Sequence, residues 1–170
     1  MKYIFMKITF IIMTTILLSS CKKEQVPNDV DVKLYNMSVI ETGFSWYKFT
    51  DAYLDKSSGS GHNFPFLRTR YNGVAATVLD VDGKIQVGAN FPEGSLIVKE
   101  LINDDLSIGR YAILYKESDN DFADANGWVW GYINGDKTIA APASEKGAAC
   151  ISCHQQSGNI DYMLMNTFFP

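Results

Sequence analysis

Histidine and cysteine are scarce in this sequence, with two of the first and three of the second among 170 residues. A structural zinc site takes four sulfur or imidazole ligands, which a second CxxC or further histidines would have to supply, and the sequence has neither. Basic residues are in deficit as well, 15 against 19 acidic ones, for a formal charge of −4. An acidic surface offers no footprint for nucleic acid or an anionic membrane face, so no nucleic-acid partner is expected. No internal repeat and no sustained coiled-coil pattern is present. The apolar stretch at the front, Ile8 to Met13 and Ile16 to Leu18, is too short to cross a bilayer comfortably.

What the chain does have is Cys150-Ile151-Ser152-Cys153-His154, a CxxCH, the pattern of covalent c-type haem attachment. Two thiols must reach the two vinyl groups on one porphyrin edge, and an imidazole just beyond them must point at the iron. On a helical turn Cys150 and Cys153 share a face at i and i+3, and His154 lies at i+4 from Cys150. Ser144 is read as the N-cap of a C-terminal haem helix carried by Glu145, Lys146, Ala148 and Ala149 despite Gly147. One covalent haem c is expected, bound by Cys150 and Cys153. His154 is then the proximal iron ligand, its other ring nitrogen held by a backbone carbonyl or a water. The competing reading is a disulfide between the two cysteines. A thioredoxin-like pair would open a βαβ unit, whereas only sixteen residues follow His154.

The N-terminus sets the expected compartment. Lys2 and Lys7, the short apolar run and Leu18-Ser19-Ser20-Cys21 have the order of a secretory signal over residues 1–20, ending in a bacterial lipobox. Cys21 is then the lipid attachment site, and two or three acyl chains at about 0.8 kcal/mol per buried CH₂ hold a protein at a membrane almost permanently. Ordinary secretion with cleavage near Cys21 is the alternative. Both place the domain outside the cytoplasm, in the periplasm or at the cell surface, where bacterial c-type haem is attached.

Residues 21–30 are polar and proline-bearing and read as a tether, leaving 31–170 as one domain of a size that can enclose a haem edge. The expected class is α+β, an antiparallel sheet of about five strands flanked by helices. Strands are expected at Phe44 to Phe49, Phe66 to Tyr71, Ser95 to Leu101, Arg110 to Lys116 and Gly127 to Ile133. A helix is expected at Asp31 to Glu41, with turns at Val81 to Lys84 and Phe91 to Gly94. Trp128, Trp130 and Tyr132, at i, i+2 and i+4, line one face, either as packed core or as the wall of a haem pocket. His62, in the Ser/Gly-rich loop Lys56 to Asn63, reads first as a solvated histidine. Arg68 and Arg70 suit haem propionates or a solvated edge strand equally well.

With these residues in view, the chain from Gly61 to Pro170 resembles the cytochrome P-460 family, which is related to the β-sheet cytochromes c′. The carriers are Phe91 to Glu100, Tyr111 to Lys116, Gly127 to Gly131, Cys150 to His154, and Asp161-Tyr162. The resemblance implies an antiparallel sheet with helices, haem on Cys150 and Cys153, His154 as proximal ligand and an open distal position. Family members that oxidise hydroxylamine cross-link a lysine to the haem, for which Lys84 and Lys99 are the candidates, with Ala75 or Ala76 as the other alignment. A distal carboxylate is to be sought among Glu100, Asp104 and Asp105. Met163 and Met165 follow the motif so closely that chain order places them on the proximal side, which favours five-coordinate iron.

Two functional readings follow. The first is a membrane-tethered monohaem cytochrome that binds or oxidises a small nitrogenous or diatomic ligand, such as nitric oxide or hydroxylamine, and exchanges electrons with a redox partner. The second is a six-coordinate electron-transfer cytochrome with a sixth ligand from His62 or a methionine. A homodimer is compatible with either.

Overall fold

The structure is a computed structural model that describes residues 26–170, so the 1–20 leader, Cys21 and the front of the spacer lie outside the described residues. Helix α1 (Asp29–Ser38) starts inside the segment expected to be tether. Asn28 and Asp31 form a capping box, with the Asp31 N–H donating to Asn28 Oδ1 at 2.9 Å and the Asn28 N–H to Asp31 Oδ2 at 3.3 Å. The helix also stops earlier than the expected Glu41, because the Ser38 carbonyl accepts from the Arg70 guanidinium instead of continuing the helical ladder.

Seven strands make one antiparallel sheet. They are β1 (Phe44–Trp46), β2 (Leu54–Asp55), β3 (Phe66–Asn72), β4 (Leu96–Ile102), β5 (Ile108–Lys116), β6 (Trp128–Asn134) and β7 (Ile139–Ala141). Their order is β1-β3-β4-β5-β6-β7, with β2 paired to the other end of β3. The five expected strands are all present within a residue or two at each end, except that β1 ends at Trp46. Beyond it the chain turns as a 3-10 helix at Tyr47–Phe49, with Lys48 and Phe49 at φ 54° and 55°. The Lys48 N–H donates to the Gly83 carbonyl at 2.9 Å, and a Cβ on Gly83 would come within 2.8 Å of Lys48 Cα, so only glycine allows this crossing. The turns at Val81 to Lys84 and Phe91 to Gly94 are where they were expected.

Strand alternation divides the interior into two cores. On one face Leu67, Tyr71, Ile97, Leu101, Leu114, Trp128 and Trp130 pack with Phe91, Met163 and Met165. On the other Leu96, Val98, Tyr111, Ile113, Val129 and Ile133 pack against Leu34 of α1 and Ala143. Leu34 is fully buried, a side chain contributing about 1.5–3 kcal/mol. Asp31 Oδ1 accepts from the Ala143 N–H at 2.8 Å and ties α1 to the chain leaving β7. Two short helices finish the fold, α2 (Ile151–His154) and α3 (Met165–Phe168). No described helix is long and apolar enough to cross a membrane.

Candidate functional site

The CxxCH sits on a shorter helix than expected. Ser144 is not an N-cap but lies within a 3-10 turn (Ala143–Glu145) that ends at Lys146 in the left-handed region; α2 is a single turn, with Cys150 at its N-cap position. The Ile151 N–H donates to the Gly147 carbonyl at 2.9 Å, and the His154 N–H to the Cys150 carbonyl at 3.1 Å, which holds the motif as one turn. Gly147 is at φ +71°, and a Cβ there would lie 2.6 Å from the Trp130 indole, so the segment crosses the sheet's aromatic stripe at a distance only glycine permits.

His154 is fixed from behind. Its Nδ1 lies 2.8 Å from the Tyr162 carbonyl, and since a carbonyl can only accept, Nδ1 carries the proton and Nε2 keeps its lone pair. The Trp130 ring stands edge-on to the imidazole at 5.3 Å between centroids. Burial and the nearby Lys99 cation push the His154 pKa down to about 4, so the ring is neutral near pH 7. The Tyr162 carbonyl is aimed by consecutive left-handed residues, Asp161 at φ 46° and Tyr162 at φ 71°, a conformation costing roughly 1–3 kcal/mol per residue. Asp161 offsets that cost. Its carboxylate accepts from Trp128 Nε1 at 2.9 Å, the Phe91 N–H at 2.9 Å and Lys116 Nζ at 3.3 Å.

A cavity of about 340 Å³ opens in front of His154, bounded by Cys150, Cys153, His62, Lys99, Tyr132, Leu67, Leu164 and Phe168 among others. Cys150 is half-buried and Cys153 exposed, and neither sulfur is bonded to another among the described residues. Burial, then Glu145 and Cys153, raise the Cys150 pKa, so its sulfur is held as the thiol. Across the sheet Thr69, Lys99, Ala112 and Tyr132 pair in one row on this face, and the small Ala112 leaves room between lysine and tyrosine. The Lys99 side chain makes no hydrogen bond or ion pair among the described residues, and burial pushes its pKa down to about 8.

His62 is not the solvated loop residue expected from its neighbours. It is partly buried, with Nδ1 3.0 Å from the Tyr132 hydroxyl and its ring 6.4 Å from that of His154, centroid to centroid. Burial, then Lys99 and His154, hold its pKa down at about 3. The aromatic stripe serves both roles weighed for it, since Trp128 and Trp130 are core and Tyr132 is cavity wall.

Several candidates fall elsewhere. Glu100 follows Lys99 on β4 and so points to the opposite face, where it is fully buried and ion-paired with Arg68 and Arg70. That removes Glu100 as a distal carboxylate. It also removes both arginines as propionate ligands or edge-strand solvation, since β3 has neighbours on both sides. Asp104 and Asp105 are exposed in the β4–β5 turn, and the Asp105 carboxylate is engaged by Ser107 at 2.6 Å. Lys84 stays in its turn, its N–H donating to Asp80 Oδ1 at 2.9 Å, and does not line the cavity. Met163 and Met165 are buried in the core beside the cavity, and Met165 Sδ accepts from the Thr69 hydroxyl at 3.3 Å.

The family model described as Cytochrome P460 matches residues 80–165, just over half the sequence. The chain belongs to the cytochrome P460 family. No curated protein and no solved structure matches it. Membership in the cytochrome P460 family implies a haem cofactor and its iron, and the residues here fit that group. Two free thiols stand on the rim of a largely apolar cavity, and a neutral histidine with one nitrogen pinned leaves the other free for a metal. The matched segment contains Lys99, Tyr132 and the CxxCH, while His62 and strands β1–β3 precede it.

Proposed function

We propose that this chain is a monohaem c-type cytochrome that binds or oxidises a small nitrogenous or diatomic ligand outside the cytoplasm, with Cys21 carrying a lipid anchor. The observation that supports it best is the His154 arrangement: a buried neutral imidazole pinned through Nδ1 by the Tyr162 carbonyl, facing a cavity with both cysteine thiols at its edge. Cys150 and Cys153 would hold the porphyrin as thioethers, each S–H having added across a vinyl double bond, and His154 would bind the iron through Nε2. When bound, the haem supplies a Lewis-acidic, redox-active iron for ligand binding and one-electron transfer.

The protein's own groups shape the rest. Leu67, Leu164 and Phe168 make the cavity wall apolar and limit water. Lys99 is the lysine candidate that lines the cavity, so it, and not Lys84, is the residue for a family-type haem cross-link or for attracting an anionic ligand. Oxidation of a hydroxylamine-class molecule sends electrons to an external redox partner and releases protons, for which the hydrogen-bonded His62–Tyr132 pair is the polar route at the cavity wall.

The test is expression with a working haem-maturation system, followed by a haem stain after denaturing electrophoresis and intact mass. Stain that stays with the chain, lost in the double variant Cys150→Ala/Cys153→Ala, supports the reading. A colourless protein with both sulfurs free or joined overturns it. A lysine bond to the porphyrin would appear as a stained product that survives loss of both cysteines.

A further inference from the structure

Resting on the haem assignment above, the geometry points to His62 as the exchangeable sixth ligand of the iron, giving a bis-histidine resting state that a small ligand must displace. Two imidazoles bound on opposite sides of one metal, at metal–nitrogen distances of about 2.0–2.1 Å, place their ring centres roughly 6 Å apart. The His62 and His154 rings are 6.4 Å apart with planes crossed at 70°. Each has Nδ1 engaged, His62 by Tyr132 and His154 by Tyr162, which leaves Nε2 as the ligating nitrogen on both. Both rings line the same cavity.

The loop that carries His62 is held, not loose. The Ser60 N–H donates to the Ser57 carbonyl at 2.9 Å, and the His62 N–H to Ser60 Oγ at 3.3 Å. A Cβ on Gly59 would lie 2.5 Å from the Phe168 ring, so the loop is packed on α3 where only glycine fits. The imidazole is therefore delivered to the cavity by a loop and not by the sheet, so it can leave the iron without breaking any strand pairing. Met165 is less free, since its Sδ is taken by Thr69. Chain order argues only against the methionines and places no restriction on a ligand from upstream of the matched segment. Tyr132 is a positioning residue, acting on the iron only through His62 Nδ1.

The experiment compares holoprotein, His62→Ala, His62→Met and Tyr132→Phe by visible, paramagnetic-resonance and resonance Raman spectroscopy. The unaltered ferric protein is expected to be low-spin. His62→Ala should be high-spin, return to low-spin with added imidazole, and bind carbon monoxide in the reduced state at least tenfold faster. His62→Met should stay six-coordinate but acquire the sulfur-to-iron charge-transfer band, and Tyr132→Phe should speed carbon monoxide binding by about tenfold, as loss of an outer-shell partner does. A coloured, high-spin unaltered protein overturns the His62 assignment while leaving the haem reading intact. So does a His62→Ala protein that remains low-spin without imidazole, or a His62→Met protein whose axial signature is unchanged. A colourless chain overturns both.

Discussion

Lys99 and Glu100 are consecutive residues on β4, yet they inhabit opposite kinds of interior. Glu100 is closed in by Arg68 and Arg70 on the face that packs against α1, paired across the sheet with Arg68 and Tyr111. Lys99 faces the cavity without a partner among the described residues, beside His62, Tyr132 and His154. The charge at 100 is neutralised within the protein, so it serves the fold; the charge at 99 is left uncompensated, so it is available to whatever enters. Strand alternation is the cause, because successive side chains must leave on opposite faces, and the sheet becomes a partition between a structural and a chemical side.

The sharpest way to break this comparison is Glu100→Ala. Removing the carboxylate leaves two guanidinium groups, Arg70 fully buried, without their counter-ion, and such a loss costs about 3–5 kcal/mol. Denaturant unfolding should show it, while the haem spectrum at full folding stays unchanged. Normal stability with an altered spectrum would mean that Glu100 reaches the distal side after all. Replacing the set together, with Glu100→Leu, Arg68→Met and Arg70→Leu, should recover most of the loss, since a buried ion cluster adds little over apolar packing.

Asp161→Ala comes next, and on the cavity side of the sheet. It strands the buried Trp128 indole N–H and the Phe91 N–H, for about 2–3 kcal/mol by the cost of unmet buried donors. Unlike the Glu100 change it should also disturb the haem, because Asp161 anchors the segment that aims the Tyr162 carbonyl at His154. A lower iron reduction potential or its converse reads the loosened imidazole, and equal potentials in both proteins would contradict this coupling. Gly147→Ala is smaller, about 1–3 kcal/mol from a left-handed alanine pressed on Trp130. Its expected mark is a changed Trp130 fluorescence together with a lower melting temperature.

The outline of this partition was legible in the sequence, and its occupants less so. Five strands show as alternating or β-branched runs long enough to read, whereas β2 and β7, two and three residues long, carry too few positions for a period to appear. The CxxCH could be read because its chemistry is local, as could a backbone acceptor for His154. That Lys99 and Glu100 lie on opposite faces also follows from alternation alone. Which face holds the cavity does not, because that depends on pairing register, with Arg68 opposite Glu100 and Thr69 opposite Lys99. The place of His62 is hidden in the sequence for a related reason. Its Ser/Gly-rich surroundings describe a loop correctly, but the packing of Gly59 on Phe168, more than a hundred residues away in sequence, decides where that loop delivers its imidazole.

The smallest expected effect tests the other half of the pair. Lys99→Met should change stability little, because the methionine fills a similar volume and no ion pair is lost. What should change is the pH dependence of anion binding to the ferric protein, measured with nitrite, which stays anionic from pH 6 to pH 10. Burial lowers the Lys99 pKa from 10.5 to about 8, so the ammonium is present at pH 7 and is lost as pH rises through 8. The cation favours an anion in the cavity, so nitrite affinity should fall by about fivefold, on the order of 1 kcal/mol of attraction, between pH 7 and pH 9. In Lys99→Met the same titration should be flat near pH 8 and sit at the weaker, high-pH affinity throughout. A midpoint near 8 that survives the substitution would assign the titration to another group. Lys99 would then be as silent toward ligands as Glu100, and the functional contrast between the two faces would be lost.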